Sequence, residues 1–243
     1  LAVPVLVAGM NWTMQQSAPV ALIAVAAGAA VGAFDGFRQR LVRYKAAILM
    51  AVCGIPFTKL GQIWANALPQ YLLMGGFAIL MLGVSWRFYR QSKETQPNLE
   101  EDALRLAFVS DETGKFIWTP AAAFILASIG VLTGLMTGLL GVGGGFLIVP
   151  LMRRFTRLTV PGIVATSLFV ITLVGSGGVI NALMAGVQLP LIETSSFVAA
   201  MVGGMLVGRG ISRKLEARMV QRGFALLLFG VSVYMLFKSF MSF

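Results

Sequence analysis

Three consecutive glycines, Gly143, Gly144 and Gly145, interrupt a long apolar stretch, and their chemistry is that of bare backbone. Without side chains, their N–H groups can approach a ligand closely. A short helix starting there would aim the positive end of its dipole, with unpaired N–H donors, at an oxyanion. The same residues also suit a tight turn or close helix packing, and both readings stay open. Gly130, Gly134 and Gly138, spaced by four, read as a packing face. A dinucleotide-binding reading fails, because no strand precedes the cluster and no ribose-binding acid follows about 20 residues on.

Polar residues inside apolar runs form the second set. Thr166 and Ser167 lie near the start of one run, with Ser176 and Asn181 further along. Their hydroxyls and amide could donate to an anion or bond a neighbouring helix. Lys59 sits in the middle of the run 46–67. A cation at membrane depth is costly and marks a functional hypothesis. Gln62, three residues on, shares its face, Thr58 and Asn66 lie near, and Pro56 is a candidate helix break. Lys59 either attracts an anion, snorkels outward or pairs with Asp35. Asp35 is the one clear acid within a run and a candidate proton-coupling residue; its place beside the basic segment 38–45 equally suits an interfacial ion pair. Cys53 reads as a small packing residue.

The elements that must position these groups follow from composition. Of 243 residues, 58% are hydrophobic and 12% charged, against about 45–50% and 25% in a soluble domain. So few charges cannot cover a soluble surface, and the fold class is an all-α polytopic membrane protein. With no histidine and one cysteine, a His-based triad, a histidine metal site, a disulfide and a CxxC pair are excluded. No metal or cofactor is called for. The net charge of +10 is assigned to basic loops and not to a nucleic-acid partner; the partner implied is the lipid bilayer.

A spanning helix needs about 20 apolar residues. Such runs occupy 14–37, 46–67, 70–89, 160–186, 192–211 and 219–241, and 1–10 reads as the tail of another. Basic clusters fall at Arg38–Lys45, Arg87–Lys93, Arg153–Arg157 and Arg209–Arg222, whereas 67–70 and 186–193 carry no lysine or arginine. The positive-inside rule places the four clusters in the cytoplasm, for a multi-pass protein of the cell inner membrane. Segment 116–152 must then enter and leave on one side. It is too short for two spans of about 20 residues and a turn. A hairpin with one full and one short arm, turning at the glycines, or a re-entrant element satisfies the geometry. The polar segment 91–115 reads as a linker; a short surface helix over 98–109, with Asn98 and Glu101 at capping positions, is the alternative.

The chain also repeats. Residues 76–85 (GFAILMLGVS) match 223–232 (GFALLLFGVS), and Val3-Pro4 matches Val149-Pro150. Loop charge alternates between the halves: 38–45 is basic and its counterpart is not, while 67–70 lacks cations and its counterpart is basic. That pattern describes inverted-topology repeats, a plan of secondary transporters with the substrate near the midplane. The boundaries are 1–91 for the first repeat, 92–115 for a cytoplasmic linker and 116–243 for the second repeat. Projected back, a first glycine hairpin would precede Leu1, implying about 30 upstream residues.

The segment Gly138–Leu151 (GLLGVGGGFLIVPL), with Val164-Ala165-Thr166-Ser167-Leu168 and Gly208-Arg209, resembles the signature of the sulfite exporter TauE/SafE family. The second half matches throughout; the first is weaker, with Met14–Ala21 where the second carries Ala-Thr-Ser. The resemblance implies an inner-membrane permease for a small anionic sulfur compound such as sulfite, a sulfonate, sulfoacetate or thiosulfate. An alternating-access transporter is the leading expectation. An anion channel and a structural subunit of a membrane complex are the alternatives, and a homo-oligomer is compatible with each. An enzyme is not expected, because no nucleophile with a base and no acid pair is available.

Overall fold

The computed structural model describes residues 2–10, 12–93, 119–141, 143–156, 158–187, 189–212 and 217–241. Among these it contains nine helices: α1 Ala2–Gly9, α2 Met14–Arg38, α3 Tyr44–Ala67, α4 Gln70–Lys93, α5 Pro120–Leu140, α6 Gly145–Phe155, α7 Val160–Met184, α8 Leu191–Ser212 and α9 Ala217–Met241. Seven are long and apolar enough to cross a membrane. The linker, including the surface helix considered over 98–109, lies outside the described residues.

Local chemistry sets the helix ends. Thr13 accepts the Gln16 N–H while the Gln16 side chain accepts the Thr13 N–H, a complete capping box for α2. Thr119 and Thr159 cap α5 and α7, each followed by a proline in the first turn. Gly141, at φ +67°, ends α5 in the left-handed conformation that favours glycine. The hairpin expected over 116–152 is the full arm α5 and the short arm α6. Pro56 does not break its span: α3 runs unbroken through it, as transmembrane helices allow where packed neighbours re-satisfy the freed backbone.

Packing fixes the direction of each helix. Gly36 adjoins Ala165 and Gly175 adjoins Ala26, so α2 and α7 are antiparallel. The Ser85 hydroxyl donates to the Ala225 carbonyl at 2.8 Å and the Ser239 hydroxyl to the Tyr71 carbonyl at 2.8 Å, so α4 and α9 are antiparallel too. In contrast α3 and α5 run parallel: a Cβ added to Gly130, Gly134 or Gly138 would strike the backbone of Met50, Gly54 or Thr58 respectively. These directions put Arg38, Arg87, Arg153 and Arg222 at helix ends on one face, called here the basic face.

The stripe expected of Gly130, Gly134 and Gly138 is therefore a backbone-to-backbone contact. Gly134→Val is expected to destabilise the chain by about 3 kcal/mol, the upper end for overpacking, since carbonyls cannot move aside as side chains do. Loss of monodisperse protein after detergent extraction checks this.

Two apolar clusters complete the core. One gathers Val3, Leu6 and Val7 of α1 with Met74, Phe77 and Met235 of α4 and α9. The other joins Met50, Leu126, Ile148, Ile163 and Val174 across α3, α5, α6 and α7.

Candidate functional site

The α5–α6 turn lies inside the membrane thickness. Gly138 packs level with Thr58 and Gly61 of α3, about 9 Å short of that helix's end. From the turn, α6 needs only 11 residues to return to the basic face, about 16 Å. The α5–α6 hairpin therefore enters and leaves on the basic face and turns short of the opposite one.

The turn itself is left-handed. Gly141, Gly143 and Gly144 have φ of +67°, +75° and +61°. A left-handed residue followed by a right-handed one, as Gly144 and Gly145 are, can turn successive N–H groups toward one anion. Gly144 is also the N-cap of α6, with no side chain to cap it. The first helical bonds run from the Leu147 and Ile148 N–H groups to the Gly144 carbonyl at 3.0 and 3.3 Å; the first-turn donors before them have no intrahelical acceptor.

Helices α2 and α7, together with α5 itself, surround the turn. Gly141 abuts Ala18 of α2, Gly143 abuts Val25 of α2 and Ile171 of α7, and Gly144 abuts Thr133 and Thr137 of α5. Thr133 is fully buried, and its hydroxyl has no hydrogen-bond partner. Thr137 is buried as well and donates to the Thr133 carbonyl at 2.7 Å. Ser17, the residue before Ala18, is a second fully buried hydroxyl without a partner. An unmade bond of this kind costs about 1–3 kcal/mol. Thr133 thus offers an unused donor beside the first turn of α6, and Ser17 offers another next to the Ala18 contact with Gly141.

The expected site residues separate in space. Gly143, Gly144 and Gly145 form the turn. Thr166 and Ser167 are buried but lie five and four residues before Ile171 along α7, about 7 Å toward the basic face. Thr166 accepts the Arg43 backbone N–H at 3.1 Å, tying the α2–α3 loop to α7, and Ser167 donates to the Val164 carbonyl at 2.8 Å. Asn181 is half-buried, ten residues past Ile171. The Gln62 amide donates to the Gly178 carbonyl at 2.9 Å, joining α3 to α7. Asp35 is half-buried at the basic-face end of α2 and accepts the Gln39 amide at 2.6 Å.

Lys59 is exposed on α3 beside exposed Phe57, Leu60 and Ile63, which is the outward, snorkelling placement. Hydropathy locates a residue along a span but not around it. Lys59→Met is expected to change anion affinity by no more than about twofold, as for a surface substitution; titration calorimetry in detergent reads this.

Sequence reasoning missed Thr133, Thr137 and Ser17. The signal available was the four-residue spacing of Thr133 and Thr137, interleaved with Gly134 and Gly138 on one helix. Among the described residues no group of His, Cys, Asp and Glu could hold a metal ion.

The comparisons agree with a membrane transporter. A probable membrane transporter protein of Xylella fastidiosa strain Temecula1 is 27% identical over 209 residues, 83% of this chain and 72% of that one. The probable membrane transporter protein YunE of Bacillus subtilis strain 168 is 25% identical over 183 residues, 75% and 66% of the two chains. The probable membrane transporter protein MamO of Magnetospirillum gryphiswaldense is 25% identical over 227 residues, 82% of this chain but 35% of that longer one. No solved structure matches. The family profile of the sulfite exporter TauE/SafE proteins aligns with residues 1–235. A polytopic helical chain with seven helices long and apolar enough to span a membrane among its described residues, matched over nearly its whole length, thus belongs to the sulfite exporter TauE/SafE family and is a membrane transporter.

Proposed function

We propose that the chain is a secondary transporter that carries a small sulfur-containing oxyanion, such as sulfite, a sulfonate, sulfoacetate or thiosulfate, across the inner membrane by alternating access. The anion is held at the N-terminus of α6 by Gly143, Gly144 and Gly145 together with Thr133 and Ser17. The single observation that carries this reading is the buried, unpartnered Thr133 hydroxyl beside the left-handed glycines.

Inverted repeats support alternating access. The matched segments 76–85 and 223–232 belong to α4 and α9, which pack antiparallel, and α2 packs antiparallel on α7. A two-fold axis in the membrane plane generates antiparallel pairs of equivalent helices. Helix lengths repeat as well: 8, 25, 24 and 24 residues for α1 to α4 against 11, 25, 22 and 25 for α6 to α9. Because the basic clusters share one face, that face is assigned to the cytoplasm. Thr166, Ser167, Asn181 and Gln62 then shape the helix frame around the site, and Asp35 at the cytoplasmic end of α2 is the acid available for proton coupling.

Thermal shift of the purified protein with sulfite, thiosulfate, sulfoacetate, taurine and chloride tests the anion class, since a ligand stabilises the state it binds. One sulfur anion is expected to raise Tm where chloride does not. Counterflow in proteoliposomes tests the mechanism: exchange accelerated by internal substrate identifies a transporter, and non-saturating flux without counterflow identifies a channel.

A further inference from the structure

Beside the glycine turn lies a cavity of about 660 Å³ between α4, α6, α7 and α9. Its inner end is Gly145 and Ile171, at the start of α6; its outer end carries Arg87 of α4 and Arg153 of α6. The two ends are eight residues apart on α6, about 12 Å. Most of the wall between them is apolar and includes Val84 of α4 and Val149 of α6. Arg87 is exposed and Arg153 half-buried, at the helix ends of the basic face.

The matching place beside α1 is closed. Val3 and Val7 occupy the repeat positions of Val149 and Arg153, and they are 1% and 0% exposed. They pack into the α4–α9 core, and the Lys238 ammonium donates to the Val7 carbonyl at 2.8 Å. The α4–α9 pair is thus sealed against α1 and open along α6.

We propose that this cavity is the aqueous access path to the turn, and that Arg87 and Arg153 form an anion-capture point at its basic-face mouth. Two guanidiniums can each clamp an oxyanion with parallel N–H donors, and between low-dielectric walls their field concentrates anions and repels cations. The chemical class held is a sulfonate- or sulfite-type oxyanion, an identity that rests on the transport reading above; the charge selectivity of the mouth does not.

The test uses the full chain in sealed membranes with the basic face outward, carrying Cys53→Ala and Val84→Cys. Labelling rates are compared for two water-soluble methanethiosulfonates, one bearing a sulfonate and one a trimethylammonium group. The sulfonate reagent is expected to react faster. The ratio of the two rates should fall about tenfold when Arg87→Gln and Arg153→Gln are combined, and should survive replacement of both arginines by lysine. Excess sulfoacetate should slow the sulfonate reagent. A ratio indifferent to both glutamine substitutions overturns the capture point, and a cysteine reached by neither reagent, as in a lipid-filled cavity, overturns the access path. Should Val84→Cys not fold, Val149→Cys on α6, which lines the same cavity, reports the same ratio. Charge-dependent labelling in a chain that transports no sulfur anion would uphold the capture point and remove only the transport reading.

Discussion

Thr133→Val is expected to weaken anion binding by about 10- to 150-fold while leaving the protein as stable as before, or about 1 kcal/mol more so. Valine keeps the shape of threonine and deletes a hydroxyl that is buried without a partner. In the empty protein nothing is lost with it, because an unsatisfied polar group is a cost and not a contribution. In the occupied protein a hydrogen bond to a charged acceptor disappears, about 1.5–3 kcal/mol, which is roughly 10- to 150-fold in Kd. Calorimetry for affinity and Tm in detergent separate the two effects. Equal affinity in the valine variant would remove Thr133 from the site. Ser17→Ala should show the same signature, since its hydroxyl is buried and unpartnered in the same way.

The second large effect is at Gly144. Alanine there must adopt φ near +61°, at about 1–2 kcal/mol for an L-residue. Its methyl group would also overlap the Thr133 methyl and press on the Thr133 carbonyl and Thr137 hydroxyl. Transport is expected to vanish. Gly145→Ala is the graded control: this residue has ordinary helical backbone, and its added methyl meets only the mobile end of the Ile171 side chain. It should retain folded protein and partial transport. Uptake in proteoliposomes, normalised to extracted folded protein, reads both. Full activity in Gly144→Ala would show that the turn merely connects α5 to α6.

Much of this architecture was legible before any coordinates. Six of the seven spanning helices follow from apolar length, and the seventh, as the full arm of the unequal α5–α6 hairpin, follows from side-to-side arithmetic on basic clusters, because membrane thickness leaves few solutions. The Gly130–Gly138 stripe was legible because only glycine lets two helix backbones touch. Of the proposed site, only the backbone part stood out in the sequence. Thr133 and Ser17 are ordinary small polar residues in sequence; their significance is that nothing bonds them, which requires every neighbour to be placed. Lys59 illustrates the converse. A charge in mid-span stands out in hydropathy, yet its azimuth on α3 turns it away from the interior. Arg87 and Arg153 were legible as topology markers, but a shared mouth requires knowing that α4 and α6 stand on either side of one cavity.

The contact between α3 and α5 bears on how such a molecule could move. Side-chain interfaces can slip by changing rotamers, whereas this one is peptide against peptide from Gly130 to Gly138, with Gly134 against the Gly54 backbone and Gly54 against the Gly130 carbonyl. Such a joint has no intermediate settings. It makes the α3–α5 pair a stator, and any rocking that opens one side of the membrane and shuts the other must be taken up elsewhere, along the soft apolar seam where α4 and α9 face α6 across the cavity.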